Sequence, residues 1–191
     1  MSNNDRSDRF LTGKLLIAMP AIGDARFEHS VIYLCAHTPD GAMGIVVNRP
    51  LQEPSFADLL KQLDVSPVPP ARQIPLRAGG PVEQARGFVL HTSDWTSEGS
   101  LMVDDGLVLT ASLDVLKVIA EGSGPREGFL ALGYVGWGPS QLDAELSNNV
   151  WLSAAADEML VFDGAHETKW LRALAKLRID PSQLSSTAGH A

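Results

Sequence analysis

The stretch Gly133-Tyr134-Val135-Gly136-Trp137-Gly138-Pro139-Ser140-Gln141-Leu142 decides the reading of this chain. Its glycines alternate with aromatics before a proline-serine pair opens a short polar segment. Gly133, Gly136 and Gly138 permit positive φ or a close backbone approach. Tyr134 and Trp137 add large apolar surface, each with one polar handle. Pro139 suits the edge of a helix start, and Ser140 is expected as the N-cap, with Asp143 three residues on as a capping-box partner. Leu142 and Leu146 then share one helix face, and Gln141 and Glu145 another. The pattern predicts a strand end, a sharp turn and a helix start. Two readings are open: a binding loop at a helix N-terminus, where free N–H groups favour an anion, or a compact corner packed by its own aromatics.

Working outward, residues 13–19 read as a strand closed by Pro20. The continuous apolar runs Val31-Ile32-Tyr33-Leu34-Cys35 and Ile45-Val46-Val47 flank the turn signal Pro39-Asp40-Gly41, which predicts an antiparallel hairpin covered on both faces. Ser55 to Leu63 is an amphipathic helix capped by Ser55, with Asp58 at its third position. Ile74–Ala78 and Gly87–His91 are strands, and Asp104-Asp105-Gly106 is a hairpin turn between two more. Ser112 caps the helix that runs to Glu121, with Leu113, Leu116, Ile119 and Ala120 inward. Phe129–Val135 is a strand entering the central stretch, and Val150–Ala154 is another. Residues 158–162 fit either a strand or a helix. His166–Arg178 is a helix with Trp170, Leu171, Leu174 and Leu177 inward and Lys169, Arg172 and Lys176 together outside. Hairpins with interspersed helices favour an α+β class, with mainly antiparallel sheets, over a doubly wound parallel sheet.

At 191 residues, a single domain over 10–180 is expected, between a disordered tail at 1–9 and a loose tail at 181–191. The net charge of -8 disfavours a broad nucleic-acid footprint or an anionic membrane surface. The lone cysteine, Cys35, allows no internal disulfide and reads as a small buried hydrophobe. The polar N-terminus lacks the apolar core of a signal peptide, and no run is long enough to span a bilayer. A cytoplasmic location is therefore expected. Neither a metal site nor a cofactor is expected, because His29, His37, His91, His166 and His190 contain no i, i+4 pair.

The candidate ligand or partner surface is Asn48, Arg49, Gly79, Gly80, His91, Gly136, Trp137 and Gln141. Arg49 can grip an anion through its fork or tie two loops together. Gly79-Gly80-Pro81 can form a small anion nest or a tight strand-end turn. His91 with Asp94 can be a general base and its orienter, or a solvated loop histidine. The stripe Lys169, Arg172, Lys176 can touch phosphates or simply be solvated. No residue is assigned a catalytic role.

Several segments together resemble one bacterial family. They are Gly13-Lys14-Leu15-Leu16-Ile17-Ala18-Met19-Pro20, Gly41-Ala42-Met43-Gly44-Ile45-Val46-Val47-Asn48-Arg49-Pro50, Gly79-Gly80-Pro81-Val82, Leu90-His91, and Gly133-Tyr134-Val135-Gly136-Trp137 with Gln141-Leu142, Glu145-Leu146, Asn149, Trp151 and Leu152. In this order, from about Thr12 to about Ile179, they resemble the AlgH/YqgE family. Ser140 and Asp143 depart from the family's usual Gly and Glu. A serine is expected to cap the helix better, and any contact needing a longer carboxylate at 143 is in question. The resemblance implies coiled, partly bifurcated sheets and carries a label of transcriptional regulator, which we read as indirect; it supplies no catalytic residue. The expected function is a non-catalytic regulatory or interaction protein, monomeric or homodimeric, acting through a protein partner or a small ligand. The partner surface is expected as an apolar patch near Trp137, Trp151 or Trp95. The alternative is an enzyme or sensor for a small anionic, phosphorylated ligand. In it Arg49 and Gly79-Gly80 bind charge and His91 moves protons, so these residues must meet in one pocket.

Overall fold

A computed structural model describes residues 10–184. The tail expected at 1–9 and residues 185–191 of the tail expected at 181–191 lie outside the described residues, as does His190. Pro181–Gln183, placed in the second tail, forms a 3-10 turn in which the Asp180 carboxylate accepts the Ser182 N–H.

In chain order the strands and helices are β1 Lys14–Ala18, β2 Val31–Thr38, β3 Gly41–Val46, β4 Pro50–Leu51, α1 Phe56–Gln62, β5 Leu76–Ala78, β6 Val82–Thr92, β7 Ser100–Met102, β8 Leu107–Thr110, α2 Leu113–Ala120, β9 Gly128–Trp137, α3 Gln141–Ser147, β10 Trp151–Ala155, α4 Glu158–Phe162 and α5 Lys169–Lys176. The class is α+β. Its ladders are antiparallel except for β5, which runs parallel to β9. The described residues group into two compact units, one of 10–48 with 135–184, the other of Arg49–Tyr134.

In the first unit the strand order is β10-β1-β2-β3, followed by residues 135–137 of β9. The β2–β3 hairpin turns at Pro39-Asp40-Gly41 as its turn chemistry dictates, with Thr38 opposite Gly41. Its core holds Leu16, Ile32, Leu34, Val46, Val135, Trp137, Leu142 and Trp151. Gly44 is required there, since a Cβ would press on the Ile32 side chain and the Tyr33 carbonyl.

In the second unit residues 128–134 of β9 pair with β5 and β6, and β6 continues to β8 and β7. Phe56, Leu60, Val115, Leu116, Ile119, Val89 and Leu130 form its core. Helix α1 begins with the expected capping box: Ser55 Oγ accepts the Asp58 N–H, and the Asp58 carboxylate accepts the Ser55 N–H. Such a cap contributes about 1 kcal/mol. The β7–β8 turn forms as predicted, because the Asp104 carboxylate takes the N–H groups of Gly106 and Leu107.

Five local expectations need correction, and the choice left open between strand and helix at 158–162 falls to helix. Ser112 makes no capping hydrogen bond, and Leu113 is 52% exposed while Val115 takes the inward place. Leu171 is 50% exposed. Residues 158–162 are helical because the Asp157 side chain accepts the Leu160 N–H and caps α4. The last helix begins only at Lys169, after a 3-10 turn over His166–Thr168. The strand expected to end at Val135 runs on to Trp137, because Gly136 and Trp137 pair with Met43 and Ala42.

Candidate functional site

The glycine-aromatic stretch is a packed corner in the first unit. Gly138 and Pro139 turn the chain from β9 to α3, with Gln141 Oε1 accepting the Gly138 N–H at 3.0 Å. Ser140 is no cap: it sits at φ 61 and its hydroxyl accepts nothing from the helix. The left-handed conformation favours glycine, which explains why a serine brings no gain here. One turn on, Glu145 Oε2 accepts the indole N–H groups of Trp137 at 2.9 Å and Trp151 at 2.8 Å, and its Oε1 accepts Gln141 Nε2 at 3.0 Å. The two indoles stack edge to face with centroids 5.9 Å apart. Glu145 is therefore the hub of the corner, a role that its helix-face position and its place among the family segments did not reveal. Trp137 and Trp151 are 7% and 2% exposed, so neither indole offers an apolar surface to a partner; Trp95 packs, half-buried, on the core of the second unit.

Asp143 faces inward from α3. Its Oδ1 lies 3.3 Å from Nε2 of the buried His37, so the short carboxylate suffices here. His37 Nδ1 accepts the Leu11 N–H, which leaves the ring proton on Nε2 toward Asp143.

Asn48 ends the same unit's strand run with a structural role. Its Oδ1 accepts the Val31 N–H and its Nδ2 donates to the His29 carbonyl, both at 2.9 Å. Arg49 is engaged within the protein, and its carbonyl accepts the Ala78 N–H. In the second unit Gly79 donates its N–H to the Leu132 carbonyl, and a Cβ there would strike the Gly133 carbonyl. Gly133, at φ 78, faces the Gly80 carbonyl in turn. These glycines let two backbones meet, and the Gly79 amide is already used.

His91 is not a solvated loop histidine: it lies inside β6 with no exposure. Nδ1 lies 2.9 Å from the Thr92 carbonyl and Nε2 2.7 Å from Thr110 Oγ1. The carbonyl can only accept, so the proton sits on Nδ1 and the Thr110 hydroxyl donates to Nε2. Ser100 Oγ lies a further 2.8 Å from Thr110 Oγ1. Burial depresses the His91 pKa, and the Thr92 carbonyl and Asp94 charge offset it only in part. Asp94 does not orient the ring; its oxygens take the Thr92 hydroxyl and the Arg126 N–H. Burial likewise pushes the Cys35 thiol well above its usual range, so it stays protonated.

The basic stripe is outer only in part: Lys176 is exposed and Arg172 half-buried, but Lys169 is not on the surface. Lys169 is fully buried, donates to the Val47 and Val161 carbonyls, and lies 3.8 Å from Asp163. Arg172 grips the same Asp163 through both nitrogens at 2.7 and 2.9 Å. Lys176 pairs with Asp157 at 2.5 Å. The helical spacing was legible, but the acidic partners come from elsewhere in the chain.

Each unit contains a cavity. One of about 340 Å³ in the first is lined by Ala18, Met19, Ile22, Asp24, Glu28 and His29 among others. One of about 170 Å³ in the second is lined mainly by Leu59, Leu63, Leu113, Leu116, Leu130 and Leu132. Arg49, Gly79, Gly80 and His91 line neither. Among the described residues no group of three His, Cys, Asp or Glu side chains could hold a metal, and no helix is long and apolar enough to cross a membrane.

Comparison with known proteins gives a consistent answer. A UPF0301 protein of Rhodospirillum rubrum is 55% identical over 186 residues, 97% of each chain. One from Cereibacter sphaeroides is 50% identical over 182 residues, 95% of this chain and 99% of that one. The solution structure of the AlgH protein from Pseudomonas aeruginosa matches with a TM-score of 0.78 at 41% identity, over 100% of this chain and 98% of that one. A Corynebacterium diphtheriae protein shares the fold alone, with a TM-score of 0.63 at 20% identity, over 84% of this chain and 83% of that one. The family model described as AlgH-like (DUF179) matches residues 15–182. The chain belongs to this AlgH-like family.

Proposed function

We propose that this protein acts by contact rather than by chemistry, as a cytoplasmic, non-catalytic regulatory or interaction protein with a protein partner. The observation that carries the reading is strand β7. It pairs with β8 on one side, no other strand pairs with it among the described residues, and Leu101 and Met102 are 49% and 53% exposed. An edge strand with apolar side chains is a template for a partner's strand. The net negative charge and the neutralised helix α5 favour an indirect regulatory role over contact with DNA. The single family model across 15–182 supports treating residues 10–180 as one domain.

The alternative, an enzyme or sensor for a phosphorylated ligand at the glycine-rich loops, has less support. The Gly79 amide is occupied, and His91 is buried with both ring nitrogens bonded.

The test is capture of partners from a bacterial lysate with the wild type and with a Leu101→Glu, Met102→Lys variant. The variant should keep its stability within about 0.5 kcal/mol, as exposed substitutions do, and lose the partner. Identical capture by both proteins, or turnover of a phosphorylated metabolite by the pure protein, would reject the proposal.

A further inference from the structure

Strand β7 leaves a defined set of backbone groups open. Its register sets Ser100 opposite Thr110, Leu101 opposite Leu109 and Met102 opposite Val108. Val103 donates its N–H to the Leu107 carbonyl. In the antiparallel alternation Leu101 therefore also turns its backbone groups to β8, while Ser100 and Met102 turn theirs outward. The Ser100 N–H is taken by the Ser97 carbonyl. What faces out is the Ser100 carbonyl and both backbone groups of Met102. Leu101 and Met102, as neighbours in a strand, stand on opposite faces of the sheet, and both are exposed. A strand added here meets apolar surface on both faces, which favours a continuous apolar run over an alternating one.

The surroundings select the charge of that strand. Residues 92–116, which include β7, β8 and the start of α2, contain five carboxylates and no Lys, Arg or His. Three of the five have local roles. Asp94 takes the Thr92 hydroxyl and the Arg126 N–H, Asp104 is turned onto the N–H groups of Gly106 and Leu107, and Asp114 lies in the first turn of α2. Glu98 and Asp105, one on each side of β7, are exposed, and their carboxylates have no ion pair or hydrogen bond among the described residues. A second copy of β7 is a poor occupant. Antiparallel pairing centred on Leu101 sets Glu98 of one copy opposite Asp104 of the other, at both ends, and like charges directly opposite are destabilising.

We propose that the β7 edge takes an extended segment of a partner protein as a further strand, and that this segment carries Lys or Arg on both sides of a short, continuous apolar run. The proposal rests on the reading of β7 as the contact surface and adds the chemistry of the partner. The open groups of Ser100 and Met102 supply the ladder, Leu101 and Met102 cover the apolar run, and Glu98 and Asp105 meet its basic ends.

The experiment is NMR titration of the full, isotope-labelled chain with three capped heptapeptides, KKVVVKK, EEVVVEE and KKVPVKK. KKVVVKK should shift the Met102 amide resonance with saturation, bind about tenfold or more tighter than EEVVVEE, and weaken as salt is raised. KKVPVKK carries the same charge, but its proline cannot donate to a ladder, so it should leave Met102 unshifted. Glu98→Gln combined with Asp105→Asn changes two exposed positions, and Asn suits the turn. This double variant should bind KKVVVKK roughly threefold to tenfold more weakly and lose most of the salt dependence. EEVVVEE binding as tightly as KKVVVKK, each with the Met102 shift, or an unchanged affinity in the double variant, would keep β7 as the contact surface and overturn the basic partner. KKVVVKK binding no better than KKVPVKK, or without a Met102 shift, would overturn both. A Met102 shift on raising the protein concentration alone would name a second copy as the occupant and overturn the proposal.

Discussion

Glu145→Ala tests the account of the corner most directly. The substitution removes the acceptor shared by the indoles of Trp137 and Trp151 and the partner of Gln141 Nε2. A buried donor left without an acceptor costs about 1–3 kcal/mol. Both indoles are nearly inaccessible, but Glu145 itself is half-buried and its absence admits some water. The lower part of the range therefore applies to each indole, and the sum is about 2–4 kcal/mol. For a chain of this size that corresponds to a fall in Tm of roughly 5–12 °C. Glu145→Gln keeps one oxygen able to accept both indole protons and loses chiefly the charge and the Gln141 contact, so it should cost only about 1 kcal/mol. Urea unfolding of the three proteins gives the energies, and the indole N–H resonances report whether both tryptophans lose their acceptor. A loss below about 0.5 kcal/mol for the alanine variant, or equal losses for alanine and glutamine, would refute the hub and return the corner to simple aromatic packing.

Other expectations follow from the same structure. Asn48→Ala orphans the buried Val31 N–H and should lower stability by about 2 kcal/mol, measured by urea unfolding. Ser140→Gly relieves a left-handed serine and should raise stability by up to about 1 kcal/mol; a decrease would mean that the hydroxyl does more than the geometry indicates. The depressed His91 pKa means that the unfolded chain binds a proton which the folded chain resists. Stability should therefore begin to fall as pH drops below about 6.5 and continue down to the folded pKa, and a His91→Gln variant should show a smaller slope there. The Arg172 side-chain hydrogen bond holds Asp163 below the usual carboxylate range against the opposing effect of burial. Its contribution is present above about pH 4 and is lost as pH falls through its lowered value, so Asp163→Asn should flatten the acid limb of the unfolding profile.

What the sequence determined by itself was local. The turn chemistry at Pro39-Asp40-Gly41 and Asp104-Asp105-Gly106, the Ser55–Asp58 capping box and the apolar runs of β1 to β3 are contained in a few neighbouring residues, and each formed as expected. The ordered family segments likewise carried the class and the family. The tertiary structure decided every question about what a polar side chain is for. Lys169 has the spacing of an outer residue yet is buried, because Asp163 and the Val47 and Val161 carbonyls converge on it. His91 reads equally as base or solvated ring until Thr110, nineteen residues on, takes its Nε2. Ser140 looks like a cap, but the backbone angle set by the turn removes its hydroxyl from the helix end. Trp137 and Trp151 read as a possible surface, and Glu145 draws both inward. The left-handed His29 is held from Asn48 and Trp170, which only folding brings to it. Secondary structure follows from short-range sterics and hydrogen bonding within one segment. Whether a charged or aromatic group faces solvent, a partner or a ligand depends on residues that only folding brings within a few ångströms.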